Sequence, residues 1–332
     1  MGIAGAGMSA LAELFVRRGI AITGCDSDAA GAARVSASGI RVEAGHDPAH
    51  VDGARAVVMT SAVKKDHPEL ARARDLGIPI VRRAEALAEA ISGSDVVAIA
   101  GTHGKTSTTV LTTEALAAAG LAPTGLAGAR VSAWNGNMLG GEDRLFVVEA
   151  DEFDRSFLAL HPTVAVVTNM EADHLDTYAD LDGIRAAFAE FAGRARAIVL
   201  CADDAGASSI PLPATAEIVR YGIESNHARL IAARLREKPS GSAFEVLYDG
   251  SSLGGVELRM PGRHNVLNAL AAIGSGLLLG VKLEQMRAGL ARCGGADRRF
   301  QYVGEAWGVT VIDDYAHHPT EIRATLQAAR AS

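Results

Sequence analysis

Apolar residues in this chain arrive in short unbroken runs, separated by longer stretches where they recur at helical spacing. The runs at 56–60, 78–81, 95–100, 145–148, 164–167 and 197–200 are too short for helices and too continuous for half-exposed strands. That is the pattern of strands covered on both faces. Another run at 20–24 reads as a strand ending at Asp26, and Gly19 before it stops a helix predicted to begin at residue 8. Strands alternating with helices point to an α/β fold built on parallel sheets. From about residue 218 to 260 the pattern turns to shorter strands and turns, and a helix is predicted over 265–279. Residues 309–312 read as a strand opening one more α/β unit, with a helix from about 320. There is no internal repeat and no low-complexity segment, only a bias toward alanine.

Two glycine-rich turns interrupt this pattern. The first, Gly2-Ile3-Ala4-Gly5-Ala6-Gly7, runs directly into a helix, and only Met1 precedes it. Such a turn normally follows a strand, so the expectation is that the first strand of this unit is missing. Its spacing, Gly-x-x-Gly-x-Gly with Asp26 at the next strand end, supports a phosphate-containing ligand. It departs from the Gly-x-Gly-x-x-Gly of dinucleotide sites. An NAD-dependent oxidoreductase is one reading, which absence of nicotinamide binding would dismiss. The second turn, Gly101-Thr102-His103-Gly104-Lys105-Thr106, lies between a predicted strand and a helix running to Gly120. It is a shortened phosphate loop, with Ile99 where the longer pattern has its first glycine. Glycines let backbone N–H groups face phosphates, and the helix N-terminus adds positive potential. Lys105 would reach the β/γ-phosphates and the Thr106 hydroxyl would ligate Mg²⁺. Lysine is scarce here, confined to Lys64, Lys65, Lys105, Lys238 and Lys282, while arginine supplies the other cations.

Polar residues at strand ends complete the picture, because ligands of open parallel sheets bind there. Glu149 ends one strand and can hold Mg²⁺, which prefers oxygen ligands. His174, in Glu171-Ala172-Asp173-His174-Leu175-Asp176, reads from its chemistry equally as a metal ligand or as a satisfied helix-capping histidine. Asp151, Glu152 and Asp154 read equally as a solvated acidic turn.

Composition narrows the function classes. The 32 basic and 39 acidic side chains leave a net charge of −7, which argues against a nucleic-acid binder. Hydrophobic content of 48% with 21% charged residues is enough for substantial cores in two or three domains. Cys25, Cys201 and Cys293 form no CxxC pair, so neither a zinc cluster nor a disulfide framework follows from them, and buried reduced thiols are expected. No run approaches the ~20 apolar residues of a membrane span, and no basic n-region precedes the first apolar residues. The expectation is a cytoplasmic protein without a membrane or nucleic-acid partner. Its oligomeric state is left open.

Taken together, these residues resemble the Mur ligases. The motifs that carry the resemblance are the first glycine turn with Met8-Ser9, the phosphate loop, Glu149-Ala150-Asp151-Glu152, and Thr168-Asn169-Met170 continuing through His174 to Tyr178. Three more follow in the family's order: Gly262-Arg263-His264-Asn265-Val266-Leu267-Asn268-Ala269, Arg298-Arg299-Phe300-Gln301, and Asp313-Asp314-Tyr315-Ala316-His317-His318-Pro319-Thr320-Glu321. The resemblance implies a Rossmann-like UDP-sugar domain over 1–92 and a central P-loop ATPase-type domain over 93–304. Residues 305–332 would begin a C-terminal Rossmann-like domain, with the chain truncated at both ends. It implies ATP-dependent joining of L-alanine to the lactyl carboxylate of UDP-N-acetylmuramate through an acyl phosphate.

Carried over to this sequence, Lys105, Glu149 and His174 would be catalytic, with Thr106, Glu149 and His174 holding Mg²⁺. Gly101, Thr102, His103, Gly104, Lys105, Thr106 and Ser107 would bind ATP, as would His264, Asn265, Asn268, Arg299, Asp313 and Asp314. Gly5, Gly7, Met8, Ser9, Asp26, Ser61, Tyr315 and His317 would bind substrate. Several family members support a metal with a carbamylated lysine, and no lysine occurs between Lys105 and Lys238. The missing segments imply that these 332 residues alone ligate slowly or not at all. Two alternatives stay open: a recycling ligase adding an intact peptide to the same UDP-sugar, and a non-catalytic nucleotide-binding fragment.

Overall fold

The computed structural model describes residues 1–173 and 177–331. Its first unit runs α1 (Ala6–Arg17), β1 (Thr23–Asp26), α2 (Ala29–Ser36), β2 (Arg41–Ala44), β3 (Val57–Met59), α3 (Pro68–Asp75), β4 (Ile80–Arg82) and α4 (Arg83–Ala90). β1 pairs with β2 and β3 with β4, both in parallel. Between the pairs lies the start of the chain. The Met1 amino group donates to the Val58 carbonyl at 2.8 Å, and the Gly2 N–H to the Cys25 carbonyl at 3.0 Å. The strand expected at 20–24 begins later, at Thr23. Gly19 closes α1 in the left-handed region, the Ile20 N–H returns to the Phe15 carbonyl at 3.0 Å, and Ile20 stays exposed. Its apolarity therefore belongs to a helix cap and not to the sheet.

The second unit comprises β5 (Asp95–Ala100), α5 (Lys105–Ala118), β6 (Thr124–Val131), β7 (Gly136–Leu139), β8 (Leu145–Glu149), β9 (Val164–Val167), α6 (Leu181–Gly193), β10 (Ala197–Cys201) and α7 (Ala205–Ser208). It continues with β11 (Glu217–Gly222), β12 (Leu230–Lys238), β13 (Gly241–Tyr248), β14 (Ser251–Leu258), α8 (Arg263–Leu278) and α9 (Leu283–Arg292). Among the described residues they form a ten-stranded sheet in the order β14-β13-β12-β11-β10-β9-β5-β8-β6-β7. Its middle is parallel, while β7, β13 and β14 pair antiparallel at the edges. The stretch expected to hold shorter strands holds longer ones, nine residues in β12 and eight in β13 and β14. These strands form a hairpin succession with one solvated face, so polar residues alternate inside them and hide their length from a search for apolar runs.

The buried runs divide by parity. Val97, Ile99, Val147, Val166 and Val199 face α5, α8 and α9 in one core. Val96, Ala98, Phe146, Val148, Ala165 and Ile198 face α6 in the other, together with Leu11 and Leu14 of α1 and Leu87 of α4. The first unit is thus docked by its own helices onto the central sheet, at about 1.5–3 kcal/mol for each such side chain buried. Arg18 adds an ion pair to Asp143 at 2.8 Å.

The third unit is the antiparallel hairpin β15 (Gln301–Ala306) and β16 (Val309–Asp313), followed by α10 (Pro319–Ala331). The boundary expected between 304 and 305 falls inside β15.

Candidate active site

The order of the central sheet places the site. β5 lies between β8 and β9, so the chain crosses it on passing from one to the other, and the carboxyl ends of all three open on a common crevice. The turn after β5 needs its glycines twice over. Gly101 and Gly104 have φ of +136° and +81°; a Cβ on the first would sit 2.1 Å from Thr168 Oγ1 and on the second 2.8 Å from Asn268 Oδ1. No side chain caps the N-terminus of α5, which leaves its first N–H groups to an anion.

Lys105 stands at that N-terminus. Its ammonium donates to both Glu152 oxygens at 2.9 Å and to the Gly101 carbonyl at 2.7 Å. Burial favours the neutral amine, but the Glu152, Asp151 and Glu149 carboxylates together more than offset it and raise the pKa, so the ammonium persists. Glu152 is only 3% exposed, which decides against the solvated turn, one of its two readings. Burial pushes its own pKa up despite Lys105. Glu149 ends β8 facing the loop, where it accepts hydrogen bonds from the Gly128 N–H and the Thr106 hydroxyl. Burial raises its pKa beyond what these donors and Lys105 restore. A half-buried carboxylate beside a threonine hydroxyl is a fitting oxygen donor set for Mg²⁺. The other expected metal ligand, His174, lies outside the described residues.

A cleft of about 510 Å³ joins all three units. Gly5, Gly7 and Met8 border it from the first glycine turn, Lys105, Thr106 and Glu149 from the centre, and Arg299, Tyr315 and His317 from the third unit. A neighbouring cavity of about 260 Å³ lies beside the phosphate loop, lined by Ser107, His264, Asn265, Asn268 and Asp314. Asn265 and Asn268 are buried on α8 and bonded to each other at 3.3 Å, and burial lowers the His264 pKa. Thr102 accepts the Glu171 N–H at 3.0 Å.

His103 links the loop to the third unit, with Nδ1 3.3 Å from Glu321 and Nε2 3.6 Å from Glu171. Burial lowers its pKa, but those two carboxylates outweigh burial and raise it overall. Glu321 is held down to about 2: burial pushes the other way, and His103 with the N–H groups of His317 and His318 overcomes it. Asp314 orders the segment by accepting the Phe300 and Ala316 N–H groups, each at 2.7 Å.

Some expected residues stand apart. Asp26 lines neither cavity; its oxygens accept the Ala4 N–H at 2.8 Å and the Asp28 N–H at 2.9 Å, which holds the glycine turn in shape. Ser9 turns its hydroxyl to the Ala6 carbonyl at 3.0 Å, Ser61 is exposed, and Asp313 pairs with Arg298 at 3.3 Å. Conversely, Thr60 and Arg83 were not foreseen, and Glu152 was left undecided. Thr60 and Arg83 follow β3 and β4 directly and border the cleft, so the strand-end rule could have found them. An added Cβ on Gly7 would lie 2.9 Å from Arg83 Nη1.

Three family models match in succession: the Mur ligase family catalytic domain over residues 1–95, the Mur ligase middle domain over 99–276, and the Mur ligase glutamate ligase domain over 298–332. The UDP-N-acetylmuramate–L-alanine ligase of Acidothermus cellulolyticus is 46% identical over 99% of this chain and 70% of its own length. That of Nitratidesulfovibrio vulgaris is 44% identical over 100% of this chain and 73% of its own. Among solved structures, the UDP-N-acetylmuramate–alanine ligase of Thermotoga maritima superimposes with a TM-score of 0.89 at 30% identity, covering 99% of this chain and 76% of that one. A murein peptide ligase of Psychrobacter arcticus gives 0.83 at 27% identity, covering 99% and 75%.

Proposed function

This chain belongs to the Mur ligase family, and on that premise we propose that it joins L-alanine to the lactyl carboxylate of UDP-N-acetylmuramate with ATP. One observation supports this reading above the others. The first glycine turn, the phosphate loop with Glu149, and the Tyr315–His317 segment border one cleft, as a reaction needing a UDP-sugar, ATP and an amino acid requires.

A carboxylate is a poor electrophile, so the γ-phosphoryl group is first transferred to it, and ADP departs. Two anions must approach, and Lys105 supplies positive charge where they meet. Thr106 and Glu149 would hold Mg²⁺, which adds charge neutralisation at the phosphates. The smaller cavity, with Asn265 and Asn268 on its wall, suits the adenine. The amine of L-alanine then attacks the acyl phosphate, a tetrahedral intermediate collapses, and phosphate leaves with the amide formed. Tyr315 and His317 border the cleft from the third unit, where they would face the substrate and help keep water from the acyl phosphate.

The test is ADP release by the purified chain with UDP-N-acetylmuramate, ATP and Mg²⁺, with L-alanine or a tripeptide as acceptor. Release dependent on L-alanine supports the reading. The likeness to the Psychrobacter arcticus enzyme makes a tripeptide preference the second reading, and release requiring the tripeptide would replace the first with it.

A further inference from the structure

Away from the cleft, four side chains able to ligate metals gather in the first unit around one carboxylate. Glu69, in the first turn of α3, is fully buried. Its oxygens lie 3.2 and 3.3 Å from Cys25 Sγ, 3.2 Å from His46 Nδ1 and 2.9 Å from His50 Nδ1, with His67 Nδ1 at 3.9 Å. Cys25 Sγ, His46 Nδ1 and a Glu69 oxygen all lie within 4.8 Å of one another. Metal–ligand bonds of about 2.0–2.3 Å in a tetrahedron set donor atoms about 3.3–3.8 Å apart. The three donors therefore need to move little to share an ion.

The donors come from separate segments: Cys25 from β1, His46 from the turn after β2, and Glu69 from α3, with His50 on the 3₁₀ turn Pro48–Val51. A buried carboxylate needs only ordinary hydrogen-bond donors, and the Asp47 N–H at 3.2 Å already supplies one. Thiol and imidazole on the same carboxylate form a set selective for zinc-class ions over Mg²⁺ or Ca²⁺, which take oxygen ligands.

We infer that Cys25, His46 and Glu69 bind a zinc-class dication, with His50 or water in the fourth position. On binding, the Cys25 sulfur–metal bond forms and the thiol proton passes to solvent. The ion ties β1, the turn after β2 and α3 together. It also bears on the cleft through the backbone, because the Cys25 carbonyl accepts the Gly2 and Ile3 N–H groups and Asp26 next to it holds Ala4. Metal occupancy thus stiffens the first glycine turn.

The chain, stripped with a chelator, is titrated with Zn²⁺ alone by calorimetry and with Co²⁺ by absorption spectroscopy. One equivalent of Co²⁺ should give a thiolate-to-cobalt charge-transfer band. Cys25→Ser should abolish that band, and both Cys25→Ser and His46→Asn should weaken Zn²⁺ binding at least tenfold. His318→Ala tests the competing cluster of His103, Glu171 and His318 and should leave the band intact. A wild-type cobalt spectrum without a thiolate band overturns the inference whatever the variants do. So does Zn²⁺ binding that survives in Cys25→Ser and His46→Asn but disappears in His318→Ala.

Discussion

Replacing Glu152 by glutamine separates two roles that Lys105 must fill in turn. Without nucleotide, the Lys105 ammonium is held by both Glu152 oxygens at 2.9 Å, and the two side chains are 16% and 3% exposed. Removing one partner of a buried ion pair costs about 3–5 kcal/mol. Glutamine keeps one oxygen to accept from the ammonium, and the Gly101 carbonyl remains at 2.7 Å, so the expected loss is nearer about 2–3 kcal/mol. With nucleotide bound, the phosphates supply the anion that the variant lacks. Because Lys105 no longer has to leave a carboxylate, nucleotide should bind the variant up to ~30-fold more tightly, the equivalent of about 2 kcal/mol. Urea denaturation with and without ATP, paired with calorimetric titration of ATP, reads both effects. A variant as stable as wild type without nucleotide, or one that binds ATP no better, would refute the idea that Glu152 holds Lys105 in reserve.

Three further expectations follow from the same site. Glu149→Gln removes a carboxylate whose pKa burial has raised, a group whose ionisation opposes folding as pH rises past its folded value; the urea midpoint at neutral pH should be unchanged or higher, while Mg²⁺-dependent turnover falls at least ~100-fold. Gly104→Ala places a Cβ at φ +81° and 2.8 Å from Asn268 Oδ1; about 1–2 kcal/mol of backbone strain and a displaced Asn268 should weaken ATP binding at least tenfold, measured by calorimetry. For Glu321, with a pKa near 2 against an ordinary 4.5, the stabilising contribution is present above 4.5 and lost as pH falls toward 2. That of His103 is full below its ordinary 6.5 and lost as pH rises through its raised value. The stability gap between wild type and Glu321→Gln should therefore be widest between pH 4.5 and 6.5, and a gap independent of pH would contradict the pairing.

What could be read from the sequence follows from which signals are local. The buried strands β5, β8, β9 and β10 announced themselves because each is apolar on both faces, and the phosphate loop because its backbone demands glycine at 101 and 104. β6 and β7 escaped notice, since the run Thr124-Gly125-Leu126-Ala127-Gly128 has too few large apolar residues to stand out. Glu152 was left undecided because its partner is 47 positions away, and a charge in a turn looks solvated until that pairing is known. Asp26 was correctly placed at a strand end, yet its carboxylate is occupied by the turn beside it. Cys25 carried no metal signal because its companions His46 and Glu69 lie 21 and 44 residues on, in no recognisable spacing. Local backbone demands are written in adjacent residues, while pairings across the fold are not.

The most direct measurement is a calorimetric titration of the folded chain with UDP-N-acetylmuramate, with UDP-glucose as the control. Saturable binding of the first that the second cannot reproduce is the expected result, and Arg83→Ala at the mouth of the glycine turn should weaken it. Protein shown to be folded that ignores UDP-N-acetylmuramate, or binds UDP-glucose equally well, would contradict the assignment of the cleft.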